Sequence, residues 1–338
     1  MREVNILISS AGRRAGLLGC LRDALAGLGL TGRIVAIDAS ADAPVAHLAD
    51  AFWRVPRCTD NDFIPSVLEI CKRERIAVVV PTIDTELPAY AGTKSAFARI
   101  GCQVAVSGPA AIDITSDKAR THTWLREEGF PAVRQAGPAE VLSDPRSWRF
   151  PLVVKPSGGS ASVGVASVGS LEELRLRVSR DSSLIVQETA SGTEHTVNVL
   201  VDGRGVCVCA LPHRRLEVRA GEVSKAVTVK DEAMMSLSRE VAERLPEAYG
   251  ALNVQCFSDA GDLKVIEINA RFGGGYPLAH RAGGVFTRWL LEDLLGMPSS
   301  ASFDAWQDDL AMLRYDEAVF LPGRDIRHES YATAVSSV

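Results

Sequence analysis

Glu267, Asn269 and Arg271 alternate with apolar residues in the segment Leu263-Lys264-Val265-Ile266-Glu267-Ile268-Asn269-Ala270-Arg271, which runs on into Gly273, Gly274 and Gly275. A strand's side-chain period of two predicts Val265, Glu267, Asn269 and Arg271 on one face, with Ile266 and Ile268 on the other. Burying a carboxylate, an amide and a guanidinium is costly without partners. A hard cation held by the first two, beside a phosphate held by the third, justifies the pattern. A structural salt-bridge network is the competing reading. Upstream, residues 252–257 lead into Asp259-Ala260-Gly261-Asp262, a hairpin signal. A three-residue loop of Ala260, Gly261 and Asp262, glycine left-handed, predicts Gln255 opposite Glu267. A two-residue turn would send Gln255 to the wrong face. Gln255, Glu267 and Asn269 are thus candidate magnesium ligands that share the ion with a nucleotide triphosphate.

A second constellation follows the apolar segment 151–156, which ends in Lys155 and Pro156 and opens into a loop containing Gly158, Gly159 and Ser160. Glycine-rich backbone can approach phosphate oxygens where side chains would obstruct it, and Lys155 adds a point charge. The order is not that of a P-loop, whose lysine follows its glycines; a flexible structural turn is the alternative. Residues 184–188 read as a short strand ending in Gln187 and Glu188, and Gly192-Thr193-Glu194 follows. Main-chain groups there can read an adenine edge and Glu194 can accept ribose hydroxyls; taken alone, Glu194 is a strand-edge acid.

The elements that must position these residues begin with an alternation of strands and helices. Residues 4–9, 33–39, 76–81 and 103–107 predict strands, and 17–28, 62–74 and 86–99 predict helices, the pattern of a parallel sheet wrapped by helices. Its candidate ligand loops are residues 9–16, with Arg13 and Arg14, and residues 81–88, with Thr82, Asp84 and Glu86. Helix capping competes with substrate contact for the second loop. Ser10 stands where a dinucleotide fingerprint needs glycine, so Asp38 carries no nicotinamide reading. Later, 113–129 predicts one helix with Lys118 near its start, 184–231 is strand-rich, 232–249 is helical, and 286–295 forms a helix closed by Gly296.

At 338 residues, 46% hydrophobic and 23% charged, the chain has the composition of a globular protein with two or three domains. A net charge of -5 and sparse aromatics argue against nucleic acid as a partner. Seven scattered cysteines argue for reduced thiols, and Cys207-Val208-Cys209 reads as strand packing. No apolar run of about 18 residues is available to span a bilayer, and residues 1–5 show no signal-peptide pattern. The expectation is a cytoplasmic protein with no membrane partner.

The ordered set Asp117-Lys118, Val154-Lys155-Pro156, Gly158-Gly159-Ser160, Gln187-Glu188, Gly192-x-Glu194, Asn253-Val254-Gln255 and Glu267-Ile268-Asn269-Ala270-Arg271 resembles the ATP-grasp superfamily over about residues 110–296. Residues 212–218, 221–222 and 224–225 place it nearest the carbamoyl-phosphate-synthase-like branch. The chain is far shorter than a synthase large chain, so a stand-alone ligase is expected. The resemblance implies an α/β domain with a Rossmann-like parallel sheet over 1–110 and an α+β ATP-grasp domain over 111–300. A mobile lid at about 121–185 and an extension over 301–338 complete the expected layout.

By this resemblance Lys118 and Lys155 contact ATP phosphates under the Gly158-Gly159-Ser160 flap, Gln187 and Glu188 flank adenine, and Glu194 binds ribose. Gln255, Glu267 and Asn269 hold two magnesium ions, with manganese as substitute, although many relatives carry an acid where this chain has Gln255. Arg271 stabilises the transferring phosphoryl group, with Arg215 and Lys225 as helpers near the triphosphate. Gly273, Gly274 and Gly275 would face the carboxylate, and Tyr276, His280 and Arg281 would border the acceptor pocket. The implied reaction activates a carboxylate as an acyl phosphate and joins it to an amine. A bicarbonate- or carboxylate-phosphorylating enzyme and a non-catalytic nucleotide-binding regulator are the alternatives. A homodimer through the amino-terminal domain is the expected assembly.

Overall fold

The structure, a computed structural model, describes residues 3–159, 164–179, 181, 183–219 and 221–323. Its chain divides into two units, one of Met1–Val106, Thr287–Ser299 and Arg314–Val338, the other of Ser107–Phe286 and Ser300–Leu313. The division expected from sequence, 1–110, 111–300 and 301–338, is linear, whereas each unit draws on separate stretches of the chain. The helix Phe286–Leu294 crosses to the first unit. A short strand, Ala311–Leu313, returns to the second. Among the described residues no helix is long and apolar enough to cross a membrane.

In the first unit β1 (Asn5–Ile8), β2 (Ile34–Asp38), β3 (Ala51–Arg54), β4 (Ile76–Val80) and β5 (Gln103–Val104) form a parallel sheet in the order β3-β2-β1-β4-β5. β1 is buried throughout, and the helix Ala15–Gly27 buries Leu17, Leu18, Leu21 and Leu25 at helical spacing. β3 has no counterpart in the sequence reading, because an edge strand carrying Trp53 and Arg54 lacks the apolar run of a buried one. The loops after β1 and β4 are tied by Glu86, which is fully buried. Its carboxylate accepts from Ser9 Oγ (2.5 Å), Ser10 Oγ (2.8 Å), Thr82 N (2.6 Å) and Ile83 N (3.1 Å). Capping is thus half of its role; the other half is holding two loops together. Asp38 accepts from the Gly12 and Ser40 amides, which shapes the first loop from inside.

The second unit opens with a broken helix. The single helix expected over 113–129 is two, Pro109–Thr115 and Lys118–Glu127. Asp117 is extended between them, and its side chain accepts from the Ala119 and Arg120 amides. An N-cap aspartate satisfies otherwise orphaned helix donors, so it starts a new helix where periodicity alone sees continuity. β6 (Gln135–Ala136), β7 (Leu152–Pro156), β8 (Ala166–Val168) and β9 (Leu184–Glu188) make an antiparallel sheet in the order β6-β9-β7-β8. It has its own core, which includes Val141, Trp148, Leu152, Val154, Leu174 and Val186.

β10 (Thr193–Val201), β11 (Cys207–Arg219), β12 (Glu222–Thr228), β13 (Gly250–Asp259), β14 (Asp262–Asn269) and β15 (Ala311–Leu313) form the larger antiparallel sheet, β14-β13-β10-β11-β12-β15. The β13–β14 turn has two residues: Ala260 (φ 49°) and Gly261 (φ 99°) are both left-handed, and Asp259 pairs with Asp262. The three-residue loop expected from sequence is not formed. Gln255 nonetheless faces Glu267, because the register shifts between Gln255 and Cys256 and leaves Ile266 as an extra residue. The same bulge puts Val265 opposite Cys256. Val265 therefore lies on the face away from Glu267, contrary to simple alternation.

Candidate active site

Cross-strand partners share a face of a sheet, so the pairings Gln255–Glu267, Thr196–Gln255, Thr196–His213, Asn253–Asn269 and Asn198–Asn253 lay out one polar floor. Arg215 reaches across it. Its Nη1 donates to Glu194 Oε1 and, at 3.2 Å, to Gln255 Oε1. Burial raises the Glu194 carboxyl above its usual range, Arg215 opposes that, and Glu267 adds to it. Glu267 is half-buried, and its carboxylate makes no hydrogen bond or ion pair among the described residues. Asn269 Oδ1 accepts from Arg271 Nη2 at 3.0 Å.

The smaller sheet supplies the facing groups. Lys155 is 7% exposed and donates from Nζ to Gln187 Oε1 at 3.0 Å. Burial lowers its pKa, Glu267 pulls it back up, Lys118 lowers it further and Glu194 raises it. Four charged groups, Lys118, Lys155, Glu194 and Glu267, therefore share one field. An amide chain braces the lysine: Gln187 Nε2 donates to Gln135 Oε1 (3.3 Å), and Gln135 Nε2 to the Lys118 carbonyl (3.1 Å). Lys118 Nζ donates to the Gly159 carbonyl at 2.6 Å, and Asp117 accepts from Ser157 Oγ. The glycine loop is thus moored at its first turn. A Cβ at Gly158 or Gly159 would meet no atom within 4 Å, so packing imposes no glycine at 158. Ser160 lies outside the described residues.

Two residues expected near the nucleotide, Glu188 through its main chain and Lys225, have side chains engaged elsewhere. Glu188 alternates away from Gln187 and faces Arg134 (3.5 Å), which stacks over Trp148. Lys225 pairs with Glu217 at 2.6 Å on an exposed stretch of the β11–β12 hairpin. Along β12 it alternates away from Ala226, the residue opposite Arg215, and a register shift between Arg215 and Glu217 brings Glu217 onto its face. Neither correction touches the set Lys155, Glu194, Arg215, Gln255 and Glu267.

The reading of sequence gives no role to Gln135, Asn198 or His213, all buried. The available signal is a polar side chain inside an apolar alternating strand. Asn198 Nδ2 stands 3.1 Å from His213 Nδ1; an amide N–H donates, so Nδ1 accepts and the ring proton is on Nε2. Burial, then Arg215 and His195, push the His213 pKa down to about 3. The ring is neutral. Above this floor run the glycines: a Cβ at Gly273 would lie 2.5 Å from Asn253 Oδ1, and one at Gly275 would lie 2.8 Å from His213 Nε2.

Among the described residues no group of three or more His, Cys, Asp and Glu side chains could hold a metal ion. The donor set Gln255, Glu267 and Asn269 offers one carboxylate and two amides, hard oxygens suited to a magnesium ion that takes the rest of its shell from phosphate and water. Both amide oxygens already accept from guanidinium groups, and the carboxylate is unpartnered. An oxygen set that attracts positive charge in this way fits a divalent cation.

Residues 6–105 match the family described as PylC-like, N-terminal domain, and residues 115–275 match the ATP-grasp domain. The carbamoyl phosphate synthase large chain of Rubrobacter xylanophilus is 28% identical over 302 residues, 80% of this chain and 28% of that one. A D-alanine–D-alanine ligase of Pseudomonas fluorescens is 27% identical over 221 residues, 59% of this chain and 67% of the relative. The chain thus spans under a third of the synthase and about two thirds of the ligase. In fold it is similar to the biotin carboxylase domain of Hydrogenobacter thermophilus 2-oxoglutarate carboxylase, solved with MgADP and bicarbonate (TM-score 0.71, 17% identity, 91% of this chain and 73% of that one). It is also similar to N5-carboxyaminoimidazole synthetase from Staphylococcus aureus (TM-score 0.68, 15% identity, 89% and 80%). Residues 115–275, which hold the smaller antiparallel sheet and most of the larger one, are an ATP-grasp domain.

Proposed function

We propose that the protein is an ATP-dependent carboxylate–amine ligase. The observation that carries this reading is the convergence of Lys155, Glu194, Arg215 and the unpartnered Glu267 between two sheets, beneath a glycine loop held by Lys118. Phosphoryl transfer asks a protein for positioning and charge neutralisation more than for covalent help. Lys155 and Lys118 neutralise the triphosphate, and Glu194 and the main chain near Gln187 orient the nucleoside. Gln255, Glu267 and Asn269 would hold magnesium, which supplies further neutralisation of the phosphate oxygens when bound. Arg271, at the end of β14, stabilises charge on the γ-phosphoryl group as it passes to the substrate carboxylate and ADP departs. The amine then attacks the acyl carbon, phosphate leaves with the bonding electrons, and the amine loses a proton to give the amide. A homodimeric assembly belongs to the same proposal, after the dimer named for the biotin carboxylase domain; light scattering measures it.

ADP release should be measured with amino acids and other carboxylates, singly and in pairs, with products identified by mass. Turnover that needs a pair supports ligation. Turnover with bicarbonate alone favours the carboxyphosphate-forming alternative, and no ADP release with any combination overturns the reading.

A further inference from the structure

The floor beneath Gly273, Gly274 and Gly275 contains polar atoms that nothing satisfies. His213 Nε2, Asn253 Oδ1 and Asn269 Nδ2 are buried without a hydrogen-bond partner, and the three residues are 1%, 3% and 4% exposed. Of the glycines above, Gly275 is buried and Gly273 and Gly274 are half-buried, and none of their N–H groups has a partner among the described residues. Native proteins rarely leave such groups orphaned, and a cluster of them marks a place where a ligand completes the set. Two of the three side-chain orphans are donors, as are all three glycine amides. Charge borders this donor-rich patch on two sides, the Arg271 guanidinium at Asn269 and the Glu222 carboxylate beside Gly274, and the donors between them suit oxygens carrying negative charge. His213 cannot be the base of this patch: Asn198 occupies Nδ1, and Nε2 carries the proton.

From this we infer that His213 is a substrate-reading residue, its Nε2–H donating to a carboxylate oxygen of one organic substrate that enters under the Gly273–Gly275 strap. Asn269 Nδ2 and the strap amides serve the same group. The strap now rests on the floor with no room for a Cβ at 273 or 275, so it must lift to admit the substrate, and glycine gives it that freedom. The inference rests on the ligase reading and adds to it which substrate group is bound, and where.

The test compares the wild type, His213→Leu and His213→Gln in the ADP-release assay with the active pair. His213→Leu should raise KM for one organic substrate about tenfold or more, the loss of one hydrogen bond to charge. The ATP KM should stay within about twofold, and His213→Gln, which keeps an N–H donor, should recover most of the loss. The melting temperature is read in the same variants, because His213→Leu removes an orphaned donor and also the acceptor of Asn198 Nδ2. An unchanged organic-substrate KM, an equal rise in the ATP KM, or a fall in melting temperature without a KM change overturns the inference. Should no pair turn over, 15N-histidine-labelled protein carrying AMP-PNP and magnesium is titrated with a mixture of the twenty standard amino acids. A shift of the His213 Nε2 signal, identified by its absence from His213→Gln, supports the assignment, and an unmoved signal overturns it. Failure of the wild type to bind AMP-PNP would instead sink the ligase reading, and this inference with it.

Discussion

Gln255 faces Glu267 across two strands whose connecting turn is one residue too short to align them, and Ile266 restores the match as a bulge. The turn needs left-handed backbone at both central positions, and Ala260 supplies the first at a conformational cost of about 1 kcal/mol. Ala260→Asn should therefore stabilise the protein by about 0.5–1 kcal/mol in urea unfolding and leave ADP release unchanged. Destabilisation would mean that the turn is not of this type.

Glu267→Gln removes the only carboxylate among the candidate metal ligands without breaking any hydrogen bond or ion pair of the fold. ADP release should drop by about a hundredfold or more, with the unfolding midpoint no lower than that of the wild type. Full activity in this variant would contradict the metal assignment.

Burial holds the Lys155 pKa below the ordinary 10.5, with Glu267 acting in the opposite direction. A lysine lowered on folding binds fewer protons in the native state, so its contribution to stability rises as pH climbs through the depressed pKa toward 10.5. Nucleotide affinity runs the other way, because deprotonation removes the charge that meets the phosphates. AMP-PNP binding should weaken on the alkaline side before pH 10.5 in the wild type, and Lys155→Arg, whose charge persists, should flatten that limb.

Glu86 couples the stability of the first unit to pH through a raised pKa. Burial raises its pKa above 4.5, while hydrogen bonds from Ser9, Thr82, Ser10 and Ile83 lower it again. A carboxyl raised on folding holds its proton longer in the native state, so its contribution is full below 4.5 and is lost as pH rises through the folded pKa. Urea unfolding of Glu86→Gln should show a flatter pH profile over that window. Glu86→Leu, which strands four donors, should cost about 3 kcal/mol or more.

Local chemistry in the chain determined most of the architecture. Buried strands such as Asn5–Ile8 and the leucine-spaced helix Ala15–Gly27 are legible because a core-facing element repeats its apolar residues with its own period. The ordered motifs from Asp117 to Arg271 are legible as well, since each carries a residue type that phosphate or cation chemistry demands. Register, bulges and side-chain rotation depend on partners distant in sequence, and those only the tertiary structure decided. Ile266 cancels an offset set six residues away, Leu216 lies at the shift that brings Glu217 onto the face of Lys225, and Asp117 breaks a helix that periodicity would continue. Buried polar groups such as His213 and Gln135 follow the same rule. Whether such a side chain is satisfied or left waiting for a ligand depends on which atoms the folded chain sets within hydrogen-bond reach.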